Sequence, residues 1–209
     1  LVNQKQLIFL MKIALAQIHP FRGEIEKNIQ KHQEFAKLAV QLGAEAVFFP
    51  ELSLTSYEPE LAKGLIYNGI DDRIDIFQEL SNSHNIIIGA GMPTLSEKGI
   101  MISMLIFQPE NQKLIYSKQK LHADELPFFV KGNQDIFIKA KNITIAPAIC
   151  YESLITEHAE KAYQNAANVY LASVAKSAKG IEKAYHHYPI IAKKIQYDNH
   201  DGELYWILR

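Results

Sequence analysis

The chain has 209 residues, enough to bury one sizeable core and too few for two independent domains of ordinary size. Its 22 basic and 23 acidic residues leave a formal charge of −1, so no broad electrostatic field invites a nucleic acid or an anionic membrane. The hydrophobic content of 48% is that of packed globular proteins, and a single cysteine excludes an intramolecular disulfide and any multi-thiolate metal site.

Residues 1–10 read as an N-terminal extension. The apolar patches at Leu7 to Met11 and Ile13 to Ile18 are too short for a membrane span and lack a small-residue cleavage site, so a cytoplasmic protein is expected. Lys12 to Ile18 is predicted as the first strand. Glu24 to Leu42 follows as a helix, because Ile25, Ile29, Ala36 and Ala39 recur near helical spacing and Gly43 supplies the stop. The continuous run Ala46 to Phe49 fits a strand buried on both faces, closed by Pro50-Glu51. Asp71 to His84 reads as a second helix, and Ile86 to Gly91 returns to strand.

The βαβαβ alternation then gives way to consecutive strands at Ile102 to Phe107, Leu114 to Lys118, Ile136 to Lys139 and Ile143 to Ile149. After Cys150 a helix is expected with Ser153 as its N-cap, followed by a strand at Val169 to Ala172. Gly180 to Gln196 is a further helix in which Pro189 is expected to form a kink or a break. The order of elements predicts an α/β layer protein with helices covering mixed sheets.

Three polar residues stand where apolar strand runs end: Glu51, Lys118 and Cys150. Strand ends are where α/β proteins collect functional groups, because a rigid sheet presents several of them to one crevice. Each residue alone has a plainer reading, since a lone cysteine usually packs as a small hydrophobe and a strand-end Glu or Lys is usually solvated. Together they are complementary. A thiol must become a thiolate to attack, which calls for a base, Glu51, and a cation, Lys118. A cysteine–histidine pair is the alternative, with His122 as its partner, although the eight histidines offer no local cue. Metal catalysis is not indicated: His186 and His187 are adjacent and point to different sides of a helix, and no HExxH pair exists.

The segments FPELSLTSYEP around Glu51, YSKQKLHADELPFF around Lys118 and PAICYESL around Cys150, in that order, resemble the three signature segments of the carbon–nitrogen hydrolase, or nitrilase, superfamily. The likeness runs from about Lys12 to about Lys194 and includes ANVYLASVAKS after the cysteine. It implies a four-layer αββα sandwich, commonly paired into homodimers, with a Glu–Lys–Cys triad and no metal or organic cofactor. Carried over by position, Glu51 matches the general base and Cys150 the nucleophile. Lys118 matches the catalytic lysine of the tyrosine-x-lysine-x-x-leucine pattern, while the nearby Lys120 falls where relatives often have histidine. Glu125 resembles a second glutamate that holds the lysine and orients substrate.

The resemblance also implies an oxyanion donor at the Tyr151 N–H and substrate contacts near Ser173, Ala175 and Lys176, and Tyr57 is a candidate pocket residue. The implied reaction is hydrolysis of a small amide or carbamoyl compound, ahead of a nitrile, through a cysteine thioester. Residues 11–196 would form the hydrolase domain and 197–209 a divergent C-terminal segment, in which Asp201-Gly202-Glu203-Leu204 resembles the turn entering a late family strand. Relatives continue through further strands at this point. That difference leaves open a second reading, a catalytically silent relative kept as a binding or assembly module.

Overall fold

The computed structural model describes residues 11–175, 178–198 and 205–208. The extension at 1–10, Lys176 and the turn at 201–204 lie outside them. Two mixed sheets are stacked face to face. The first contains β1 (Ile13–Leu15), β2 (Ala46–Phe48), β3 (Ile87–Ser96), β4 (Gly99–Phe107) and β5 (Leu114–Ser117), in that spatial order. Strands β1, β2 and β3 run parallel, and β3, β4 and β5 form an antiparallel meander. The second sheet contains β6 (Ile138–Ala140), β7 (Ile143–Ile149), β8 (Val169–Ser173) and β9 (Tyr205–Leu208). Here β6 pairs antiparallel with β7, and β7, β8 and β9 run parallel. The C-terminal segment therefore supplies a strand beside β8.

Strand alternation divides the apolar residues between three interfaces. In β2, Val47 faces a cluster with α1 (Ile25–Gln41) and α2 (Asp72–His84), through Ile29, Ala36, Ile74 and Phe77. Its neighbours Ala46 and Phe48 face the other way, into a core shared with Ile145, Val169 and Leu171 of the second sheet. The outer face of that sheet, with Ala146, Ala148 and Tyr170, is covered by Ala159 and Ala162 of α3 (Thr156–Gln164) and Ile191 and Ile195 of α4 (Ala178–Asp198). The result is the αββα sandwich. Among the described residues no helix is long and apolar enough to cross a membrane.

Two local expectations are corrected. Cys150–Leu154 forms a 3-10 turn, and α3 begins only at Thr156 behind Ile155, so Ser153 is not an N-cap. Its hydroxyl instead donates to the Cys150 carbonyl at 2.5 Å and meets the Tyr188 hydroxyl at 2.7 Å. Helix α4 runs through the exposed Pro189 as one element, so the break offered as one of the two alternatives does not occur. Packing of Ala184, Tyr188, Ile191 and Ile195 against the second sheet outweighs one missing N–H.

The loop after β2 is fixed from below by buried polar side chains. Asn28 of α1 donates to the Leu54 carbonyl at 3.0 Å and to the Phe21 carbonyl at 2.7 Å. His32, fully buried one turn later, pairs with the Asn28 carbonyl and the Ser53 hydroxyl and stacks on Phe49 at 4.0 Å. From above the loop lies on Gly91 of β3, where a Cβ would stand 2.4 Å from the Leu52 nitrogen and 2.6 Å from the Pro50 oxygen.

Two expected outcomes follow from this loop. Burial holds the His32 imidazole at a pKa of about 3, against an ordinary 6.5, so the folded state stays neutral while the unfolded chain takes up a proton. Stability is therefore lost as pH falls below 6.5, by about 2 kcal/mol for this one group at pH 5. Urea denaturation at pH 7 and pH 5 should show that loss in the natural protein and a loss smaller by about that amount in His32→Gln. Gly91→Ala should displace the 50–52 backbone, costing about 1–3 kcal/mol in the same assay.

Candidate active site

Glu51, Lys118 and Cys150 come from the ends of β2, β5 and β7, and the sandwich brings these three ends together. Lys118 is fully buried. Its Nζ donates to Glu51 Oε1 at 2.7 Å and to Glu125 Oε1 at 2.5 Å. Lys120, two residues on, is exposed: it would share a face with Lys118 if the strand continued, but β5 ends at Ser117 and the bend that follows parts the two candidate lysines. Gly132 is needed here: a Cβ on it would sit 2.4 Å from the Ser117 oxygen, and its N–H donates to the Lys118 carbonyl at 2.8 Å.

Glu125 sits in the loop after β5, held by the His122 N–H on Oε2 at 2.8 Å and by the Tyr57 hydroxyl on Oε1 at 3.0 Å. Glu51 is equally buried. The Cys150 thiol contributes a hydrogen bond to its carboxyl, whose Oε2 is otherwise unpaired in the interior. Burial pushes the Glu51 pKa up, against the opposing pull of the Lys118 ammonium. Burial also disfavours the Lys118 cation, but Glu51, Cys150 and Glu125 outweigh it and hold the amine firmly protonated. The cluster is thus an ammonium fixed between two carboxylates, one of them a strengthened base beside a thiol.

Cys150 occupies a strained position. Its φ of 51° is left-handed, a state costing a non-glycine residue on the order of 1–3 kcal/mol. The strain turns the chain sharply from β7 into the 3-10 turn. Two further left-handed residues, Leu52 and Ser56, shape the loop that carries Glu51. A cavity of about 390 Å³ opens on Glu51 and Tyr57, walled by Ile18, Pro20, Val174, Tyr185 and Tyr188.

The other sequence candidates are placed as follows. Tyr151 follows Cys150 in the 3-10 turn, and its ring meets His122 edge-on at 5.3 Å. His122 pairs with Asp124 at the surface. Ser173 is buried and donates to the Phe49 carbonyl at 2.9 Å, tying β8 to the end of β2. Ala175 lines the cavity. Among the described residues no group of three or more His, Cys, Asp or Glu side chains is arranged to hold a metal ion.

Two residues of the site were not singled out from the sequence. Tyr188 of α4 reaches over the cysteine turn from a segment 38 positions away, which no local pattern announces. Glu152 lies within the cysteine motif but points inward. It is fully buried, and burial raises its pKa to about 7 against hydrogen bonds from Tyr116 and from the N–H groups of Ile149, Gln119 and Lys120. A charged residue two positions after a strand-end cysteine was the available signal.

Comparison with known proteins gives the family. The family model described as carbon-nitrogen hydrolase matches residues 12–200. The glutamine-dependent NAD(+) synthetase of Acinetobacter baylyi is 29% identical over 145 residues, covering 66% of this chain and 26% of that protein. The enzyme of the same name from Thermotoga maritima is 24% identical, covering 67% and 25%. The chain thus spans about a quarter of the length of these curated relatives.

Among solved structures, an amidase from Nesterenkonia sp. AN1 in complex with butyramide superposes with a TM-score of 0.80 at 19% identity, covering 88% of this chain and 73% of that one. Saccharomyces cerevisiae Nit3, a nitrilase-superfamily member, gives 0.79 at 21% identity, covering 95% and 74%. These likenesses show the fold, and the family match extends over nearly the whole chain: the protein belongs to the carbon–nitrogen hydrolase, or nitrilase, superfamily.

Proposed function

We propose that this chain hydrolyses the C–N bond of a small amide or carbamoyl compound through a Cys150 thioester. The observation that carries the reading is the buried Lys118 ammonium fixed between Glu51 and Glu125, with the Cys150 thiol on the Glu51 carboxyl. Glu51 takes the thiol proton as Sγ attacks the carbonyl carbon, and the carbonyl electron pair moves onto oxygen. Lys118 and the Tyr151 N–H stabilise that oxyanion, an effect of about 3–4 kcal/mol for one well-placed donor. Glu51 then gives its proton to the leaving nitrogen as the C–N bond breaks, which leaves the thioester and releases ammonia or an amine. Water attacks the thioester next; Glu51 takes its proton and returns it to sulfur as the acid departs.

Glu125 supports this sequence by sharing Lys118 with Glu51, so that the ammonium is held on two sides. The Tyr57 hydroxyl on Glu125 links the cavity wall to that carboxylate. The described walls of the cavity are apolar or phenolic apart from Glu51 and a few polar groups, which suits an uncharged acyl group. Amides stand ahead of nitriles because the amidase structures share this fold, and one of them carries the acetamide moiety of fluoroacetamide on its active-site cysteine.

A brief pulse of iodoacetamide at pH 7, read by intact-mass spectrometry, should label Cys150 rapidly in the natural protein. Glu51→Ala and Lys118→Ala should each slow it by about a hundredfold or more. Slow labelling of the folded natural protein would favour the catalytically silent relative. Ammonia release from simple amides should require Cys150. Its kcat/KM should fall on acidification through a pKa above the ordinary glutamate value of 4.5, because Glu51 must be ionised to act and burial raises it.

A further inference from the structure

Glu152 lies within the cysteine motif, yet its side chain is fully buried and its carboxylate is engaged by backbone N–H groups and the Tyr116 hydroxyl. Its hydrogen bonds are distributed in a specific way. Oε1 accepts the Ile149 N–H at 2.7 Å, from the residue that precedes the nucleophile, and the Tyr116 hydroxyl at 2.5 Å. Oε2 accepts the Gln119 N–H at 2.7 Å and the Lys120 N–H at 3.3 Å, from the two residues that follow Lys118. One side chain therefore binds the end of β7 in the second sheet to the end of β5 in the first.

We infer that Glu152 is a positioning residue that sets the distance between the Cys150 sulfur and the Lys118 ammonium. This rests on the reading of Cys150 and Lys118 as nucleophile and oxyanion donor. Both side chains hang from backbone segments whose N–H groups end on this carboxylate, so moving it moves them relative to each other. A relay behind it keeps it oriented. The Tyr170 hydroxyl lies 2.7 Å from His158 Nδ1, and His158 Nε2 lies 2.9 Å from the Tyr116 hydroxyl. With Glu152 ionised, one direction of donation satisfies the relay: Tyr170 to His158, His158 to Tyr116, and Tyr116 to Glu152. That order needs a neutral His158, and burial holds this imidazole at a pKa of about 4. Each member is tied to another element, with Tyr116 on β5, His158 on α3 and Tyr170 on β8.

Glutamine is the informative replacement. It keeps the size but offers one acceptor oxygen and one N–H₂ group, so it can receive the Ile149 side or the Gln119 side and must repel the other. In a folded Glu152→Gln protein, kcat for amide hydrolysis should fall about a hundredfold with KM changed less than threefold. Iodoacetamide labelling at pH 7 should slow in parallel, and the pH profile of labelling should move up as the ammonium loses its place beside the thiol. Tyr116→Phe keeps the carboxylate and its three backbone donors and should lose less than tenfold.

Glu152→Asp retains charge and acceptors but shortens the reach by one methylene, and it serves as the test if glutamine prevents folding. Its labelling rate should be reduced but measurable. A folded Glu152→Gln with the natural labelling rate and pH profile overturns the inference while leaving the triad intact. Failure of both variants to fold, with no folded fraction of altered reactivity, assigns Glu152 a structural role only and also overturns it. An unreactive Cys150 in the natural protein removes the functional reading itself.

Discussion

A lysine ammonium with no exposure to water is the constraint on which the rest of the structure depends. An isolated buried charge is prohibitive, and even a paired one is held only where opposite charges meet it at hydrogen-bond distance. Lys118 meets that condition with two carboxylates, and those carboxylates come from different loops, one after β2 and one after β5. The loops can stay in place only if the strands beneath them do. Much of the sandwich reads as the apparatus that keeps this small cluster of charges together: Asn28 and His32 under the Glu51 loop, Gly91 against its backbone, and Gly132 against β5.

The same constraint explains how the chemistry divides. Two carboxylates around one ammonium are not equivalent, because Glu125 is fully occupied by Lys118, Tyr57 and the His122 N–H, whereas Glu51 retains an oxygen with no other partner. The occupied carboxylate holds the cation; the less occupied one has capacity to exchange a proton with the thiol beside it. Three of the seven left-handed non-glycine residues among the described ones, Leu52, Ser56 and Cys150, lie in the two loops that carry Glu51 and the thiol. Strain of this kind persists only where surrounding contacts over-determine the conformation.

Much of this was legible in the sequence, for physical reasons. Long apolar runs such as Ala46 to Phe49 and Ile143 to Ile149 are buried on two faces and therefore carry no polar alternation, which marks them as interior strands. The polar residue that ends each run is then conspicuous, and Glu51 and Cys150 stand at two such ends. Alternation could not choose between Lys118 and Lys120, which would share a face of a continuing strand; the structure buries the first and exposes the second because β5 ends at Ser117. What local pattern did not reveal depends on distant partners. Ser153 has the chemistry of an N-cap, but Tyr188 and the Cys150 carbonyl engage it first. Pro189 has the chemistry of a helix breaker, but packing on both sides of it carries α4 through. Glu152 reads as an ordinary surface glutamate until the four donors around it are known.

The Glu152 donors do something further, which Ser173 does too: they join one sheet to the other. The groups of the proposed chemistry are split between sheets, Glu51 and Lys118 on the first and Cys150 on the second, so a rigid sheet alone does not fix their separation. Apolar packing between the sheets sets their spacing but not their lateral register, because it is non-directional. Directional bonds supply the register. Ser173 donates across to the Phe49 carbonyl just before the Glu51 loop, and Glu152 receives donors from both sheets just beside Lys118 and Cys150. A shear of one sheet over the other would cost little hydrophobic area yet would break these bonds at once. The polar ties therefore govern the geometry of the cluster, and the apolar core between the sheets governs its stability.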